Sequence, residues 1–217
     1  MVPMSFSGEV KEELAEYTVE ARHCLIAELS AMLSMSSRVK KKGDGYCIVF
    51  NTENIAAARK LEKYIHEGFN CRPQVCVRCS GRGGKNHIYT VRVDNPTAAE
   101  QILLASKLMT RDEEPSEDLL PKNTMAIKND CCRRAFIRGA FLTSGSMSDP
   151  EKFYHFEIVC ASLEKAVQLQ NVILTFDIDA KIVVRKKYYV VYIKEGSQIV
   201  ELLGLMEAHV ALMELEN

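Results

Sequence analysis

The sequence predicts an α+β protein built from two similar halves related by a pseudo-twofold axis, each an antiparallel sheet carrying helices on one face. The first observation is a pair of helices with small-residue stripes, because Ala27 and Ala31 recur 108 positions later as Ala135 and Gly139. Residues four apart share a helix face, so each stripe lets a second backbone come close. The second observation is an apolar pattern that recurs at the same offset, with Ile55, Ala58, Leu61 and Ile65 matching Leu163, Ala166, Leu169 and Ile173.

The elements of the first half follow from periodicity and from turn residues. An amphipathic helix is expected over 7–17, and Thr18 is a suitable N-cap for the next helix. A basic loop with Arg38 and lysines at 40–42 should follow that helix. The remaining predicted elements are helix 19–36, strand 46–50, helix 51–68 with Gly68 as its stop, a hairpin of strands 72–80 and 87–93, and helix 95–109.

The second half repeats this order. Helix 131–144 should end at Gly145, which is free to take the left-handed conformation common after a helix. The other predicted elements are strand 153–160, helix 162–175, strands 181–186 and 188–194, and helix 197–206. Each unit therefore has three predicted strands. The acidic stretch 111–121 contains two prolines and is interpreted as a connection, which divides the chain into 5–109 (N-terminal helix and first repeat), a linker 110–127 and a second repeat 128–217.

Composition excludes several classes of protein. The chain of 217 residues is 47% hydrophobic and 26% charged, as in ordinary globular proteins, and contains no apolar run long enough to span a membrane. Its eight cysteines do not form the pattern of a small disulfide scaffold, so a reducing cytoplasm is expected. A formal net charge of −1 means that any affinity for nucleic acid must come from local charge.

Local positive charge lies on the two predicted hairpins. The first carries Arg72, Arg78, Arg82, Lys85 and Arg92, and the second carries Lys181, Arg185, Lys186, Lys187 and Lys194, with no acid inside either stretch. Lysine is also common on ordinary edge strands, where it discourages pairing with other chains. We favour the alternative, a surface that faces a polyanion.

Residues 137–145 (IRGAFLTSG) resemble the motif of LAGLIDADG homing endonucleases, with the small Gly139 and the terminal Gly145 in place. The longer stretch 131–146 (CCRRAFIRGAFLTSGS), the start 4–14 (MSFSGEVKEEL) and the strand 154–158 (YHFEI) are similar to the WhiA family of sporulation and cell-division transcription regulators of Gram-positive bacteria. The resemblance covers essentially the whole chain. It implies a catalytically retired endonuclease scaffold, joined in the family to a C-terminal helix-turn-helix domain that is expected to be absent from this sequence.

In the endonucleases each motif helix ends in a carboxylate that holds a divalent metal, and the resemblance places Ser36 and Ser144 at these positions. Serine is neutral and a poor ligand for Mg²⁺, which prefers anionic oxygen. Asp149, Glu151 and Asp44 lie a few residues further on, but aspartate there is more typical of a turn. We therefore expect no catalytic residue, no bound metal and no cofactor.

Three other groups of residues give weaker indications of a functional site. Cys76, Cys79 and His87 could suggest zinc, but the two cysteines lie on a predicted strand with side chains on opposite faces. Adjacent Cys131 and Cys132 could be redox-active, although capping or packing is the more common role of such residues. The stretch 81–85 lacks the spacing of a phosphate-binding loop and joins two strands, so a flexible hairpin tip is preferred.

Two functions remain open. In the first, the chain is a nucleoid-associated module of a transcription regulator that contacts the backbone of double-stranded DNA. The preferred contacts are Arg78, Arg92, Arg185 and Lys187, with Arg82 and Lys85 reaching from the hairpin loop. In the second, it is a scaffold that positions a helix-turn-helix domain or recruits another transcription regulator, with the acidic segment 112–118 and the open sheet faces as docking surfaces. No membrane partner is expected.

Overall fold

The computed structural model describes residues 4–80, 86–116, 118–122, 127–149 and 152–216. Its helices in chain order are α1 (Phe6–Glu16), α2 (Arg22–Ser36), α3 (Ile55–Phe69), α4 (Pro96–Ala105), α5 (Asp130–Ser144), α6 (Leu163–Leu174), α7 (Gly196–Met206) and α8 (His209–Glu216). Its strands are β1 (Ser37–Lys42), β2 (Gly45–Thr52), β3 (Gln74–Ser80), β4 (Asn86–Val93), β5 (Gly145–Met147), β6 (Phe156–Cys160), β7 (Lys181–Arg185) and β8 (Tyr188–Ile193). Within the described ranges, no helix combines the length and apolar composition that crossing a membrane requires.

The strands form two antiparallel sheets with the same order, β1-β2-β4-β3 and β5-β6-β8-β7. This confirms the predicted α+β class and the duplication. The expectation of three strands per unit was wrong, because each sheet has four. The stretch assigned to a basic loop after α2 is the edge strand β1, and three residues after α5 form the matching β5.

Buried side chains form one main core beneath each sheet. The first contains Leu33, Phe50 and Leu61, and the second contains Phe141 and Phe156. The second core also takes in Val10 and Leu14 of α1, while Glu13 of α1 accepts hydrogen bonds from the amides of Val210 (2.7 Å) and Ala211 (3.1 Å) at the start of α8. The C-terminal repeat thus helps to hold the N-terminal helix, which also packs on α3 of the first repeat, where Lys60 Nζ donates a hydrogen bond to the Leu14 carbonyl oxygen (2.5 Å).

The helices α2 and α5 pack against each other through the predicted small residues, and Ala27, Ala31 and Ala135 are fully buried. A Cβ at Gly139 would lie closer than 3.0 Å to the carbonyl oxygen of Glu28 and 3.1 Å from its carbonyl carbon. Only glycine therefore permits this approach of the two backbones. The small-residue interface is confirmed.

A buried ion network crosses this interface. The carboxylate of Glu28 on α2 accepts hydrogen bonds from Arg138 Nε (2.9 Å) on α5 and from the Tyr64 hydroxyl (2.9 Å), and Lys60 Nζ lies 2.7 Å from its other oxygen. Burial lowers the pKa of Lys60 to about 8, although Glu28 acts in the opposite direction. Burial and the charge of Glu28 both raise the pKa of Tyr64. Sequence analysis did not identify this network.

Several predicted helix boundaries differ from the structure: helix 51–68 begins only at Ile55, helix 95–109 ends at Ala105, and three other departures have a specific cause. The second helix starts at Arg22 after an Ala21 N-cap, so Thr18 is not its cap. The third helix ends at Phe69 with Asn70 in the left-handed conformation, so Gly68 does not stop it. Gly145 has φ −83° and ψ 157°, an extended conformation, because α5 continues directly into β5.

Candidate nucleic-acid interface

The first sheet has an open face, opposite its helices, that collects positive charge. Side chains alternate between the two faces along each strand, so every second residue lies on this face. The register across the sheet is given by the pairs Arg38↔Val49, Val49↔Arg92 and Arg92↔Gln74. Its basic side chains are Arg38, Lys40, Lys42, Arg78 and Arg92. A shallow cavity of about 590 Å³ lies among them, with Lys40, Arg78 and Arg92 in its lining. We call this surface the basic face.

Acidic residues are absent from the four strands of this sheet. Asp94, just after β4, lies 2.9 Å from Arg92 and 3.2 Å from Lys42. A hydrogen bond from Lys42, with a second from Arg92, holds the pKa of Asp94 below its usual value. Lys41 belongs to the opposite side of the strand and pairs with Glu114 at 3.1 Å. Positive charge on the basic face therefore exceeds negative charge.

The open face of the second sheet is different. Lys181, Val183 and Arg185 lie on it in β7, but Glu157 of β6 receives two hydrogen bonds from Arg185, at 3.1 and 3.0 Å. Burial alone would raise the pKa of Glu157, but hydrogen bonds from His155 and Arg185 hold it below its usual value. The sequence prediction counted charges only within the hairpin. It therefore missed Glu157, which lies on the neighbouring strand β6.

The other predicted contacts lie on turns or beyond the described residues. Lys186 has φ +58° in the β7–β8 turn. Lys187 and Lys194 stand over the rings of Tyr188 and Tyr192, at 5.3 and 5.4 Å from the centroids. The remaining residues are Arg72, which is exposed before β3, and Arg82 and Lys85, which lie outside the described residues.

The C-terminal end of α5 opens beside the basic face. A cavity of about 600 Å³ is lined by Ser144 together with Asn51 and Ile88 of the first sheet and Lys11 of α1. Burial lowers the pKa of Lys11 to about 8. Sequence analysis gave no signal for Lys11, because its position depends on how α1 crosses the helix pair. Ser36 is likewise the last residue of α2.

The carboxylates considered as substitutes lie elsewhere. Asp149 pairs with Lys152 at 2.9 Å, Asp44 lies in the β1–β2 turn, and Glu151 is outside the described residues. Among the described residues, the group of three or more His, Cys, Asp or Glu side chains that could hold a metal ion lies at the N-terminal ends of α2 and α5 instead.

The zinc alternative on the first hairpin does not fit the structure. Cys79 pairs across the strands with His87, whereas Cys76 pairs with Thr90 on the open face. The two sulfurs therefore belong to opposite faces of the sheet, as the strand assignment implied.

The linker acids are partly engaged by basic residues. Glu113 pairs with Lys122, and Asp118 lies 2.6 Å from Lys165. Lys165 belongs to the second repeat and Lys41, which pairs with Glu114, to the first, so the acidic segment contacts both repeats.

Comparisons with known proteins agree with this architecture. Residues 22–109 match the model of the WhiA N-terminal LAGLIDADG-like domain, and residues 133–217 match that of the WhiA LAGLIDADG-like domain. The chain is 48% identical over 215 residues to a probable cell division protein WhiA of Lachnoclostridium phytofermentans, a match covering 99% of this chain and 68% of that protein. A probable cell division protein WhiA of Alkaliphilus oremlandii is 43% identical over 216 residues, with the same two shares.

Solved structures show the same fold at lower sequence identity. Full-length WhiA from Thermatoga maritima superposes with a TM-score of 0.74 at 23% identity, over 98% of this chain and 65% of that one. The homing endonuclease I-DmoI, in complex with DNA and Mn, superposes with a TM-score of 0.56 at 12% identity, over 86% of this chain and 97% of that one. The chain thus spans about two thirds of the full-length WhiA structure, and the LAGLIDADG homing-endonuclease fold is confirmed.

Proposed function

Because this chain belongs to the WhiA family, we propose that it is a non-catalytic, DNA-associated module of a bacterial transcription regulator of cell division and sporulation. The observation that carries the proposal is the basic face, where five arginine and lysine side chains share one open sheet surface whose strands contain no acid. The fold supports it, since I-DmoI, which has the same fold, is in complex with DNA. A module of this kind associates with the nucleoid.

The contacts are chiefly to phosphate. Arginine and lysine side chains on a broad surface neutralise backbone charge, release counterions and carry little sequence information. The first sheet supplies most of this interaction through Lys40, Arg78 and Arg92, and Lys11 adds a cation beside the end of α5. Arg185 contributes less than its sequence position suggested, because Glu157 already neutralises it.

The proposal that the module is non-catalytic rests on the residues at the C-terminal ends of α2 and α5. Ser36 and Ser144 are neutral where a nuclease needs anionic oxygen for a divalent ion. Among the described residues, a single carboxylate, Glu53, lines the cavity at the end of α5, and Lys11 in the same lining would repel such a cation. Metal-dependent cutting of plasmid DNA with Mg²⁺ or Mn²⁺, abolished by Asp149→Ala, would overturn this part alone.

A salt-titrated gel shift with two charge-reversal variants tests the DNA contact. Lys40→Glu with Arg78→Glu changes the basic face, whereas Arg59→Glu with Lys63→Glu makes the same change of net charge on exposed positions of α3, on the helix side of the sheet. The first variant should weaken binding to every duplex alike. The fall of log K with log salt should become less steep by about 1.8, because two phosphate contacts are lost at about 0.9 each. Equal losses in both variants, or unchanged affinity in the first, would contradict the proposal.

A specific observation favours a second candidate, a protein-interaction scaffold. The open face of the second sheet carries Val159, Val183 and Tyr188, and its charged pair Arg185–Glu157 is internally neutralised. Such a surface suits another transcription regulator better than a phosphate backbone. A chain that binds no duplex at low salt, while Val183→Glu abolishes capture of a purified regulator, would favour this candidate.

A further inference from the structure

A cluster of one histidine and three cysteines lies where the N-terminal ends of α2 and α5 meet. His23 and Cys24 occupy the first turn of α2, and Cys131 and Cys132 occupy the equivalent positions of α5, 108 residues later. Their four ligand atoms all lie within 4.8 Å of one another. The pseudo-twofold axis therefore brings two short pairs into one group of four.

The distances match those of ligands around a single ion. His23 Nδ1 lies 3.3 Å from Cys24 Sγ, 3.3 Å from Cys132 Sγ and 3.9 Å from Cys131 Sγ. With Zn–S bonds of about 2.3 Å and Zn–N bonds of about 2.0 Å, the corners of a tetrahedron are roughly 3.5–3.8 Å apart. The three distances from His23 Nδ1 are thus close to those in a Cys₃His coordination shell, and the sulfur atoms lie within 4.8 Å of one another.

Two helix N-termini meet at the cluster, and a cleft connects it with solvent. Neither N-cap residue, Ala21 or Asn129, makes a side-chain capping bond, so two helix N-termini with their positive dipole ends face the sulfurs. Cys24 and Cys132 are buried, whereas His23 and Cys131 are exposed. A cleft of about 610 Å³, lined by Cys24 and Cys131, gives an ion access from solvent.

We propose that His23, Cys24, Cys131 and Cys132 form a structural zinc site that joins the two repeats. Thiolate and imidazole ligands select zinc over the hard ions Mg²⁺ and Ca²⁺. An iron–sulfur cluster is disfavoured, because its cysteines bind different iron atoms and stand further apart than ligands of one ion. With four protein ligands the site is closed, which is typical of structural rather than catalytic zinc. This inference is independent of DNA binding.

Metal analysis of the purified chain and its reconstitution with Co²⁺ test the site. We expect about one zinc ion per chain, and we expect the Co²⁺ form to show the visible absorption of tetrahedral, thiolate-bound cobalt. Cys24→Ser with Cys132→Ser should weaken the affinity by at least about 100-fold, since loss of outer-shell partners alone costs about 10–100-fold. The matched control, Cys76→Ser with Cys79→Ser, removes two exposed thiols and should retain the ion.

A further variant tests the site independently, in case the double-serine protein does not fold. His23→Cys keeps four ligands, so it should bind Co²⁺ and strengthen the thiolate charge-transfer band, an effect that a purely packing role would not produce. Three outcomes would overturn the proposal: absence of the tetrahedral Co²⁺ spectrum after reconstitution under reducing conditions, a disulfide between Cys24 and Cys132 under those conditions, or loss of the ion in the control with retention in the Cys24/Cys132 variant.

Discussion

Replacing Gly139 by alanine should destabilise this protein, although the same change usually stabilises a helix. In a helix interior, alanine is favoured over glycine by about 1 kcal/mol. Here, however, the new methyl group would lie closer to the Glu28 carbonyl oxygen than real Cβ atoms come. Backbone atoms cannot rotate away as a flexible side chain can, so α2 and α5 must separate. The resulting overpacking costs about 1–3 kcal/mol or more, and the separation also loosens the contacts of Ala27, Ala31 and Ala135.

We expect a net loss of about 2 kcal/mol in the free energy of unfolding. Urea denaturation followed by circular dichroism measures it as a fall in midpoint of roughly 1 M, for a slope near 2 kcal/mol/M. Gly204→Ala is the matched control, because a Cβ there would meet only the side chain of Leu212, at 3.3 Å. That variant should keep or raise the midpoint. A Gly139→Ala protein as stable as the parent would refute the close approach of the two helices.

Glu28→Gln should lower the free energy of unfolding by about 3–5 kcal/mol, because Arg138 and Lys60 stay buried without their carboxylate. Glu114→Gln breaks an exposed pair and should cost no more than about 1 kcal/mol, so similar urea midpoints for the two variants would count against the buried network. The third prediction concerns pH: burial lowers the pKa of Lys11 to about 8, whereas a lysine in the unfolded chain keeps its proton up to about pH 10.4. Between these values the unfolded state binds more protons, so the free energy of unfolding should rise with pH, and Lys11→Met should reduce that slope. Urea midpoints measured from about pH 8 to about pH 10 check this, and identical slopes for parent and variant would contradict it.

Sequence patterns predicted the elements that have strong periodicity. The amphipathic helices and the two hairpins appear within a few residues of their expected bounds. The edge strand β1 was missed because lysine has low β-propensity, and its sequence SRVKKK lacks the alternation of a half-buried strand. Its place in the sheet comes from pairing with β2, a tertiary interaction. The extended Gly145 was missed for a related reason, since a short strand follows α5 without a turn.

The candidate sites were predictable only in part. Arg78 and Arg92 were identified by charge, but Arg38, Lys40 and Lys42 join them only because β1 is a strand. The partner of Arg185 lies on another strand, so local charge counting could not find it. The histidine–cysteine cluster did carry a signal: the offset of 108 that relates the small-residue stripes also relates its two pairs.

The packing of α1 has a consequence for how the chain acquires its structure during translation. Val10 and Leu14 leave the ribosome early, yet the core that buries them is not complete until α8 follows about two hundred residues later. The first sheet can assemble in the meantime, because its core draws on neither residue. The apolar side of the N-terminal helix must then wait for the second core before it is fully buried.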